Sequence, residues 1–556
     1  MSANQSDLSN AAYGYDLVVA TTQNSINGAL KQYLYDITFP SIQMYWNQDS
    51  QGSPVPVTRA ELLTQTNGTD PLLVPGWTEG QPMTPDIQNI SNSNFYFAFE
   101  AAVGIPADLA PWNIPDIIAL QPDSQSVVFN LLCAQFTVVT CNFGRRGLTS
   151  YLNVSQPADT PWTFTSIVPL KQIFDDTNLP ASVQSQLDDL GPDAFSVQQL
   201  FFDLDNASLE SAPAISGVDP GSPAYTALQQ VFLGAYFAAM KVSGQPILNY
   251  SIVQTVSPDD PGTLTLTQLE LEVSPYTPAG PATNGLNTLN YLCATNGDGL
   301  PPPVPFTWNW VESSETSSFD GVVSINRDTF ARYFQGQLTD LVSQNCYLPS
   351  VRVTLCGPLD TEIDYSWEMA PGQTPALTTP STGADVLSYS YSGFATDDAG
   401  ADGDMGSMNL APSYSATVAF SGTTIVITQR LLINVYVRFL QTSATWNAVD
   451  RTIADTYTLA VTQAGQLTSS LNTVVTDQSD PTPSTNWFIE IFTQLDDLTN
   501  DVAGWVQGLA ATSFQSLPVN VAQAFVFPGG NTFAFKDVVF SGNQDLVSHI
   551  SYVQSN

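Results

Sequence analysis

The chain has 556 residues, and its 51 acidic and 13 basic side chains give a formal net charge of −38 at pH 7. Apolar residues make up 43% of the sequence, which is enough for large hydrophobic cores and argues against an intrinsically disordered chain. The negative charge repels phosphate backbones, so we expect no nucleic acid partner. It also opposes adsorption to anionic bilayers unless a local basic spot offsets it.

The cysteines and the first residues indicate the compartment. The five cysteines are too scattered for a metal site, and no cofactor is expected. Residues 1–16 lack the basic start and apolar core of a signal peptide, which predicts a reduced, cytoplasmic protein, with non-classical export left open. The most apolar run, residues 231–239, is far shorter than the ~20 residues of a membrane span. We therefore expect no transmembrane segment, while peripheral membrane contact stays open.

The first periodic segment, residues 13–37, predicts an amphipathic helix that Pro40 ends. Its core-facing side chains recur at three- and four-residue spacing: Tyr15, Val19, Thr22, Ile26, Leu30, Tyr33 and Ile37. Residues 95–104 and 127–142 then alternate as strands do, and residues 148–154 read as the return strand of a long hairpin.

The middle of the chain predicts a helix over residues 223–242, apolar almost all round and therefore buried. Three further strands are predicted over residues 247–256, 263–273 and 286–293. The proline-rich segment 300–305 marks a module boundary. We therefore expect a first helix-wrapped β module over residues 1–300, and over residues 301–556 a second module with a C-terminal helix and closing strands.

The most informative segment is residues 423–440, which predict one strand of roughly 60 Å, far longer than usual. One face is apolar apart from Gln429, and it carries Ile425, Ile427, Leu431, Ile433, Val435, Val437 and Phe439. Either a packed helix or a bound apolar ligand must cover such a face.

The C-terminal part predicts a second amphipathic helix over residues 486–509 and closing strands over residues 532–540 and 546–553. Helices therefore alternate with long meanders of strands. This order predicts an α+β fold of antiparallel sheets, not a βαβ fold.

Few residues suggest catalysis. His549 is the only histidine, and an ordinary position in the last strand explains it best. Asp203 and Asp205 would share one face of a strand, as a carboxylate pair that hydrolyses glycosides could, but 51 acids make such pairs frequent by chance. We assign no catalytic residue.

The only adjacent basic pair, Arg145 and Arg146, caps the turn of the hairpin at residues 144–147. A solvated turn is the simpler interpretation. The functional interpretation is a contact with a lipid phosphate at one end of a barrel.

Two stretches carry a resemblance to a known family. An N-terminal motif consists of Tyr13-Gly14-Tyr15-Asp16-Leu17-Val18, Asn24, Ile26-Asn27 and Leu30. It resembles the start of the clostridial forty-seven-kilodalton proteins encoded beside botulinum neurotoxin genes. Those proteins usually have Trp where this chain has Tyr15. A C-terminal motif is also similar to these clostridial proteins, and it consists of Phe527-Pro528-Gly529-Gly530, Phe533, Phe540 and Asp545-Leu546. That family belongs to the tubular lipid-binding (TULIP) superfamily. The resemblance implies one or two modules in which a long, strongly curved antiparallel sheet wraps a long amphipathic helix and holds lipid in the seam.

We therefore expect a non-catalytic protein that binds a lipid or other hydrophobic ligand in a helix-wrapped β tube. The candidate lining residues, which plain core packing explains equally well, are Val19, Ile26, Leu30, Tyr33, Ile433, Val435 and Val437. One alternative is a docking component of a toxin or secretion assembly with a solid core and a protein partner. A second alternative is a metal-free enzyme acting on a hydrophobic substrate.

Overall fold

The structure is a computed structural model that describes all residues except 1, 37–40, 108, 111–112, 122–125, 159–160, 175–194, 203–207, 212–218, 243–246, 255–263, 380–382, 402–404, 481–524, 527–531 and 554–556. Long antiparallel sheets dominate the described part, and one of them curls into a half-barrel. The predicted α+β fold class is confirmed. The helix predicted over residues 486–509 lies outside the described residues.

The described α-helices are α1 (Gln23–Asp36), α2 (Arg59–Gln65), α3 (Pro85–Ser91), α4 (Pro223–Val242) and α5 (Arg327–Gln344). The short helix α2 begins at a capping box, in which the Thr58 hydroxyl accepts from the Glu61 N–H while the Glu61 side chain accepts from the Thr58 N–H.

The central sheet joins both ends of the chain. Its strands are β1 (Leu17–Thr22), β13 (Leu266–Ser274), β14 (Thr288–Thr295), β15 (Gly321–Ile325), β26 (Thr532–Phe535), β27 (Val539–Phe540) and β28 (Leu546–Val553). Leu17 pairs with Cys293 on one side and with Ile325 on the other. The central sheet therefore takes strands from both sides of residue 300.

The helix predicted over residues 13–37 is wrong before residue 23, because Leu17–Thr22 forms strand β1. All six residues of this strand are buried between β14 and β15. A strand buried on both faces shows no alternation, so the spacing of Tyr15 and Val19 imitated a helix by coincidence.

The N-terminal sheet lies between β1 and β13 in sequence. It contains β2 (Ser41–Gln48), β3 (Pro54–Val57), β4 (Trp77–Thr78), β5 (Phe95–Val103), β6 (Ile118–Leu120), β7 (Ser126–Gly144), β8 (Gly147–Ser155), β9 (Thr163–Phe174), β10 (Phe195–Phe202), β11 (Ser208–Ser211) and β12 (Ile247–Gln254), with β25 (Phe525–Val526) at one edge. The predicted hairpin corresponds to β7 and β8, which pair from Thr137 and Ser155 to Gly144 and Gly147.

Helix α4 packs on this sheet with one face only. Tyr225, Phe232, Tyr236 and Phe237 are buried, whereas the stripe formed by Thr226, Gln230, Gly234 and Ala238 is exposed. The expectation of burial all round is therefore wrong. Glycine and alanine made the whole helix look apolar in sequence, although their small side chains expose little apolar surface when they face water.

The C-terminal sheet holds the long strand. Its members are β18 (Ala376–Thr378), β19 (Asp385–Ser392), β20 (Ala395–Ala399), β21 (Gly406–Ser421), β22 (Thr424–Phe439), β23 (Thr442–Val461) and β24 (Leu467–Asp477). The inner face of β22 is buried at every second residue from Ile425 to Val437, so the predicted strand and its apolar face are confirmed.

A separate hairpin of β16 (Leu348–Cys356) and β17 (Glu362–Ala370) follows α5 in the chain. Helix α5 is capped at its N-terminus by Asn326, whose side chain accepts a hydrogen bond from the Asp328 N–H. Phe330 and Phe334 of α5 contact Phe420 of β21, with ring centroids 5.3 and 5.9 Å apart. The helix therefore packs against one end of the C-terminal sheet.

Candidate functional site

The first apolar region lies between α4 and the N-terminal sheet, and we call it the aromatic seam. It consists of Phe99, Phe136, Phe164, Phe232 and Tyr236. The Phe232 ring lies 4.4 Å from Phe164, 4.9 Å from Phe136 and 5.8 Å from Phe99, measured between centroids. All five rings are fully buried, and the Tyr236 hydroxyl donates to the Leu132 carbonyl at 3.1 Å. The rings fill the seam by packing against one another.

Helix α1 is fixed to the N-terminal sheet by two amide side chains. Asn27 Oδ1 accepts from the N–H groups of Ile117 and Ile118 at 2.8 and 2.9 Å. Gln23 Oε1 accepts from the Leu120 N–H at 2.8 Å. These bonds satisfy the N–H group of Ile117 and two donors of β6, and they hold the helix in one register against the sheet.

Of the lining residues predicted at the N-terminus, Ile26 and Leu30 lie on α1 and are buried, each with 7% exposure. Val19 is buried too, but it lies in β1 and not on the helix as expected. The side chain of Tyr33 is outside the described part of the structure. The structure therefore brings two of the four residues together on one helix.

The other predicted lining residues, Ile433, Val435 and Val437, lie on the far half of the inner face of β22. They pair with Pro412, Leu410 and Met408 of β21. The hairpin of β16 and β17 covers this half, since the Tyr365 hydroxyl donates to the Arg438 carbonyl at 2.8 Å. A Cβ placed on Gly406 would lie 2.5 Å from Cδ1 of Ile363. A hairpin is thus a third kind of cover, beside the helix and the ligand that the sequence suggested.

The near half of the same inner face carries buried polar groups, which we call the polar strip: Tyr389, Tyr414, Gln429 and Asp455. Tyr414 donates to Oε1 of Gln429 at 2.9 Å, and Asp455 accepts from the Thr473 hydroxyl at 2.6 Å. The Tyr389 hydroxyl is buried and makes no hydrogen bond within the described structure. Only Gln429 had a sequence signal, as the one polar break in an apolar face.

The hairpin tip between β7 and β8 is solvated. Arg145 and Arg146 are exposed, and Phe143 beside them is 41% exposed. Gly147 has φ +110°, a conformation that favours glycine and lets the chain reverse at this point. The tip therefore presents two cations and an aromatic ring together.

The motif residue Asp16 lies at a buried junction. Its carboxylate accepts hydrogen bonds from the N–H and hydroxyl of Thr295 at 2.8 and 3.1 Å and from the Thr329 hydroxyl. Arg332 bridges Asp16 at 3.0 Å and Asp298 at 2.6 Å. The N-terminal words of the resemblance thus link β14 and α5, which is a structural role.

Four of the five cysteine thiols are buried and poor nucleophiles. Burial raises the pKa of Cys133, Cys141 and Cys293, and it raises the pKa of Cys346 to about 12. These four groups stay protonated at neutral pH, and a protonated thiol neither attacks a substrate nor binds a metal well. The described residues hold no group of three or more potential metal ligands.

His549 lies in β28, as expected. Its Nδ1 is 2.8 Å from Oδ2 of Asp537, and its ring stacks on Phe319 with centroids 4.4 Å apart. Burial of Asp537 disfavours its charge, but the hydrogen bonds from His549 outweigh burial and hold the pKa of that carboxyl below its usual range. Nε2 of His549 is buried without a hydrogen bond in the described structure, so no hydroxyl or thiol meets it there.

No family model matches the chain, and no curated protein matches it. Comparison of structures finds P47 of Clostridium botulinum E1 with a TM-score of 0.43 and 10% identity, covering 97% of this chain and 98% of that chain. P47 from Clostridium botulinum A2 aligns with a TM-score of 0.41 and 10% identity, covering 97% of each chain. A lipopolysaccharide binding protein aligns with a TM-score of 0.28 and 13% identity, covering 97% of this chain and 99% of that chain.

These neighbours include the clostridial proteins that the terminal motifs resemble. No described helix is long and apolar enough to cross a membrane.

Proposed function

We propose that this chain binds a lipid or another hydrophobic ligand, without catalysis, between its helices and its curved sheets. The observation that carries the proposal is the inner face of β22, which is buried at every second residue from Ile425 to Val437 and belongs to one continuous apolar core with α1 and α5. Burying one CH₂ group gains ~0.8 kcal/mol, so a long acyl chain gains roughly 10 kcal/mol before the cost of ordering it. Such affinity needs no charge, which suits a chain poor in basic residues.

The ligand would lie in one or both of two modules, residues 1–300 and 301–556, that share the central sheet. In the second module, Ile433, Val435 and Val437 would line it if the hairpin of β16 and β17 moved away from them. In the first module the equivalent surface would combine Val19 of β1 with Ile26, Leu30 and Tyr33 of α1.

The pair Arg145 and Arg146 would contact lipid phosphate at the tip of the β7–β8 hairpin. Guanidinium groups hold phosphate oxygens in a bidentate geometry. The exposed Phe143 beside them would enter the boundary between headgroups and acyl chains, where aromatic rings are favoured.

Lipid extraction tests the proposal directly. The protein is purified without detergent, denatured and extracted with organic solvent, and the lipid is quantified by mass spectrometry. We expect about one lipid or more per chain. Val435→Phe adds volume to the inner face and should lower the yield, whereas Tyr436→Phe on the outer face of the same strand should not. An extract without lipid would contradict the proposal.

A docking component with a solid core is the second candidate. It is favoured by the complete burial of Ile433 and Val435 and by the rings that fill the aromatic seam, since both regions pack well without a ligand. An empty extract, together with a stable stoichiometric complex with a defined partner protein, would support this candidate. The metal-free enzyme depends on Asp203 and Asp205, which lie outside the described residues, and no observation favours it.

A further inference from the structure

Two members of the polar strip, Tyr389 and Gln429, lie in one row that crosses the C-terminal sheet, and Tyr414 and Asp455 lie in the rows on either side. Tyr389 of β19 pairs with Ala416, Ala416 pairs with Gln429 of β22, and Gln429 pairs with Ile453. The four side chains of this row, Tyr389, Ala416, Gln429 and Ile453, are buried on the same face. Because Ala416 is the smallest of them, the row has least side-chain volume between the Tyr389 ring and the Gln429 amide.

The Tyr389 hydroxyl is costly where it lies. It is 3% exposed as a residue, and its oxygen has no hydrogen-bond partner within the described structure. A buried hydroxyl without a partner costs stability, and phenylalanine would fill the same space without that cost. A ligand that accepts a hydrogen bond from this hydroxyl on the inner face of the sheet would remove that cost.

Helix α5 and the residues that follow it pack on the inner face of the C-terminal sheet and cover the polar strip. Phe334 of α5 contacts Phe420, four residues along β21 from Ala416. Cys346 lies near the hydroxyl of Tyr414 and donates to the Val342 carbonyl at 3.3 Å. The strip thus lies between a sheet and a helix, with Ile427 and Leu431 flanking Gln429 along β22.

We propose that the polar strip binds the uncharged polar head of an amphiphile, with Tyr389 as hydrogen-bond donor and the acyl tail along the apolar residues of β22. The proposal rests on the proposed function and names its ligand class: a neutral hydroxyl, ester or amide head on a long chain, as in a monoacylglycerol.

The charges that face the strip select a neutral head. Asp455 of the polar strip is fully buried and pairs with Ile427, in the row next to that of Tyr389 and Gln429. Its carboxyl group opposes a carboxylate or phosphate head. Arg451 pairs with Leu431, in the row on the other side of Gln429. Its register partner on β24 is Asp477. The buried side chains of α5 that continue along the helix from Phe334, namely Leu338 and Val342, are apolar. The described cover therefore adds no cation that would favour an anionic head.

The test compares two tyrosines on one strand. Tyr389→Phe removes the unpaired hydroxyl, whereas Tyr391→Phe, the matched control, removes a hydroxyl that donates to the Tyr347 carbonyl at 2.9 Å. Delipidated protein is titrated with radiolabelled monoolein, oleate and hexadecane. We expect wild type to prefer monoolein over oleate. Tyr389→Phe should weaken monoolein binding about fivefold to tenfold and leave hexadecane binding unchanged, while Tyr391→Phe changes neither.

The thermal midpoint gives an independent readout. If Tyr389→Phe binds monoolein as wild type does and unfolds at a higher temperature, the hydroxyl is only an unsatisfied group in a solid core, and the inference is overturned. If wild type prefers oleate over monoolein, the claim that the strip selects an uncharged head is overturned, whereas the proposed lipid binding is not. If wild type binds none of the three probes, the proposed lipid binding fails and this inference fails with it. Ala416→Val serves as a second variant, and it should weaken all three probes by reducing space in the row.

Discussion

The carboxylate of Asp545 accepts a hydrogen bond from the backbone N–H of Leu8 at 2.7 Å, across 537 positions of the chain. The same carboxylate accepts from the Ser6 hydroxyl at 2.8 Å and from the Arg327 N–H at 3.0 Å. One side chain therefore fixes the N-terminal segment, the start of α5 and the last strand. The Asp545-Leu546 part of the resemblance has a structural explanation in this junction.

Replacing Asp545 with asparagine should destabilise the fold by about 2–4 kcal/mol, because the amide NH₂ cannot accept the hydrogen bonds of Leu8 and Ser6. Urea denaturation followed by tryptophan fluorescence measures the loss. A loss below about 0.5 kcal/mol would show that the junction is not a structural support.

The same variant gives a pH prediction. Burial raises the pKa of the Asp545 carboxyl to about 6, although hydrogen bonds from Leu8, Ser6 and Arg327 act in the opposite direction. A carboxyl whose pKa is raised in the folded state binds its proton more tightly there than in the unfolded chain. Its contribution to stability therefore grows as pH falls from 7 to 4, by about 2 kcal/mol.

The gap in unfolding free energy between wild type and Asp545→Asn should accordingly widen between pH 7 and pH 4. The other acidic residues titrate in both proteins, so their contributions cancel when the unfolding free energy of the variant is subtracted from that of wild type. A gap that narrows on acidification would mean that the three hydrogen bonds outweigh burial and that the pKa is lowered.

The aromatic seam should be a main source of stability in the N-terminal half. Phe232→Ala would leave a cavity among Phe99, Phe136 and Phe164 and cost about 3–5 kcal/mol. Leu233→Ala, next to it on the half-buried side of α4, is the matched control and should cost less than half as much. Equal losses for the two variants would contradict the one-sided burial of this helix.

Thiol reactivity tests the burial of the cysteines. Cys133, Cys141, Cys293 and Cys346 are buried, and Cys356 is exposed at the end of β16. Titration of the native protein with a disulfide reagent should therefore modify one thiol rapidly, and all five after denaturation. Two or more rapidly modified thiols in the native protein would show that a core region opens.

The basic tip should contribute to contact with anionic lipid. Each of Arg145→Gln and Arg146→Gln should weaken binding to vesicles containing phosphatidylserine about fivefold, because one basic side chain at an anionic surface contributes about 1 kcal/mol. Arg352→Gln, which removes an exposed arginine from β16, is the matched control. If all three variants lose binding equally, the effect is one of net charge and not of the hairpin tip.

The sequence predicted strands well where one face is buried and the other is solvated. The alternation in residues 423–440 is visible because Thr428, Arg430 and Asn434 face outward while Ile427, Gln429 and Ile433 face inward. The sequence pattern is misleading where burial is two-sided, because β1 has no polar face and the spacing of its buried residues also fits a helix. It also failed on α4, whose exposed stripe includes Gly234 and Ala238.

The candidate site was only partly accessible from sequence. Gln429 stood out as a polar break, but Tyr389 and Asp455 come from strands whose register with β22 is a tertiary property. The hairpin over Ile433 and Val435 was missed for the same reason, because nothing local to residues 348–370 indicates what those strands cover.

The most direct test of hydrophobic ligand binding is the dependence of affinity on chain length. Delipidated protein is titrated calorimetrically with linear alcohols from hexanol to dodecanol, which share one neutral head. If the tail is enclosed by β22 and the helices, the association constant should rise about fourfold with each added CH₂. An association constant that does not change with chain length, or no detectable heat for any alcohol, would contradict an enclosed apolar site and favour a solid core.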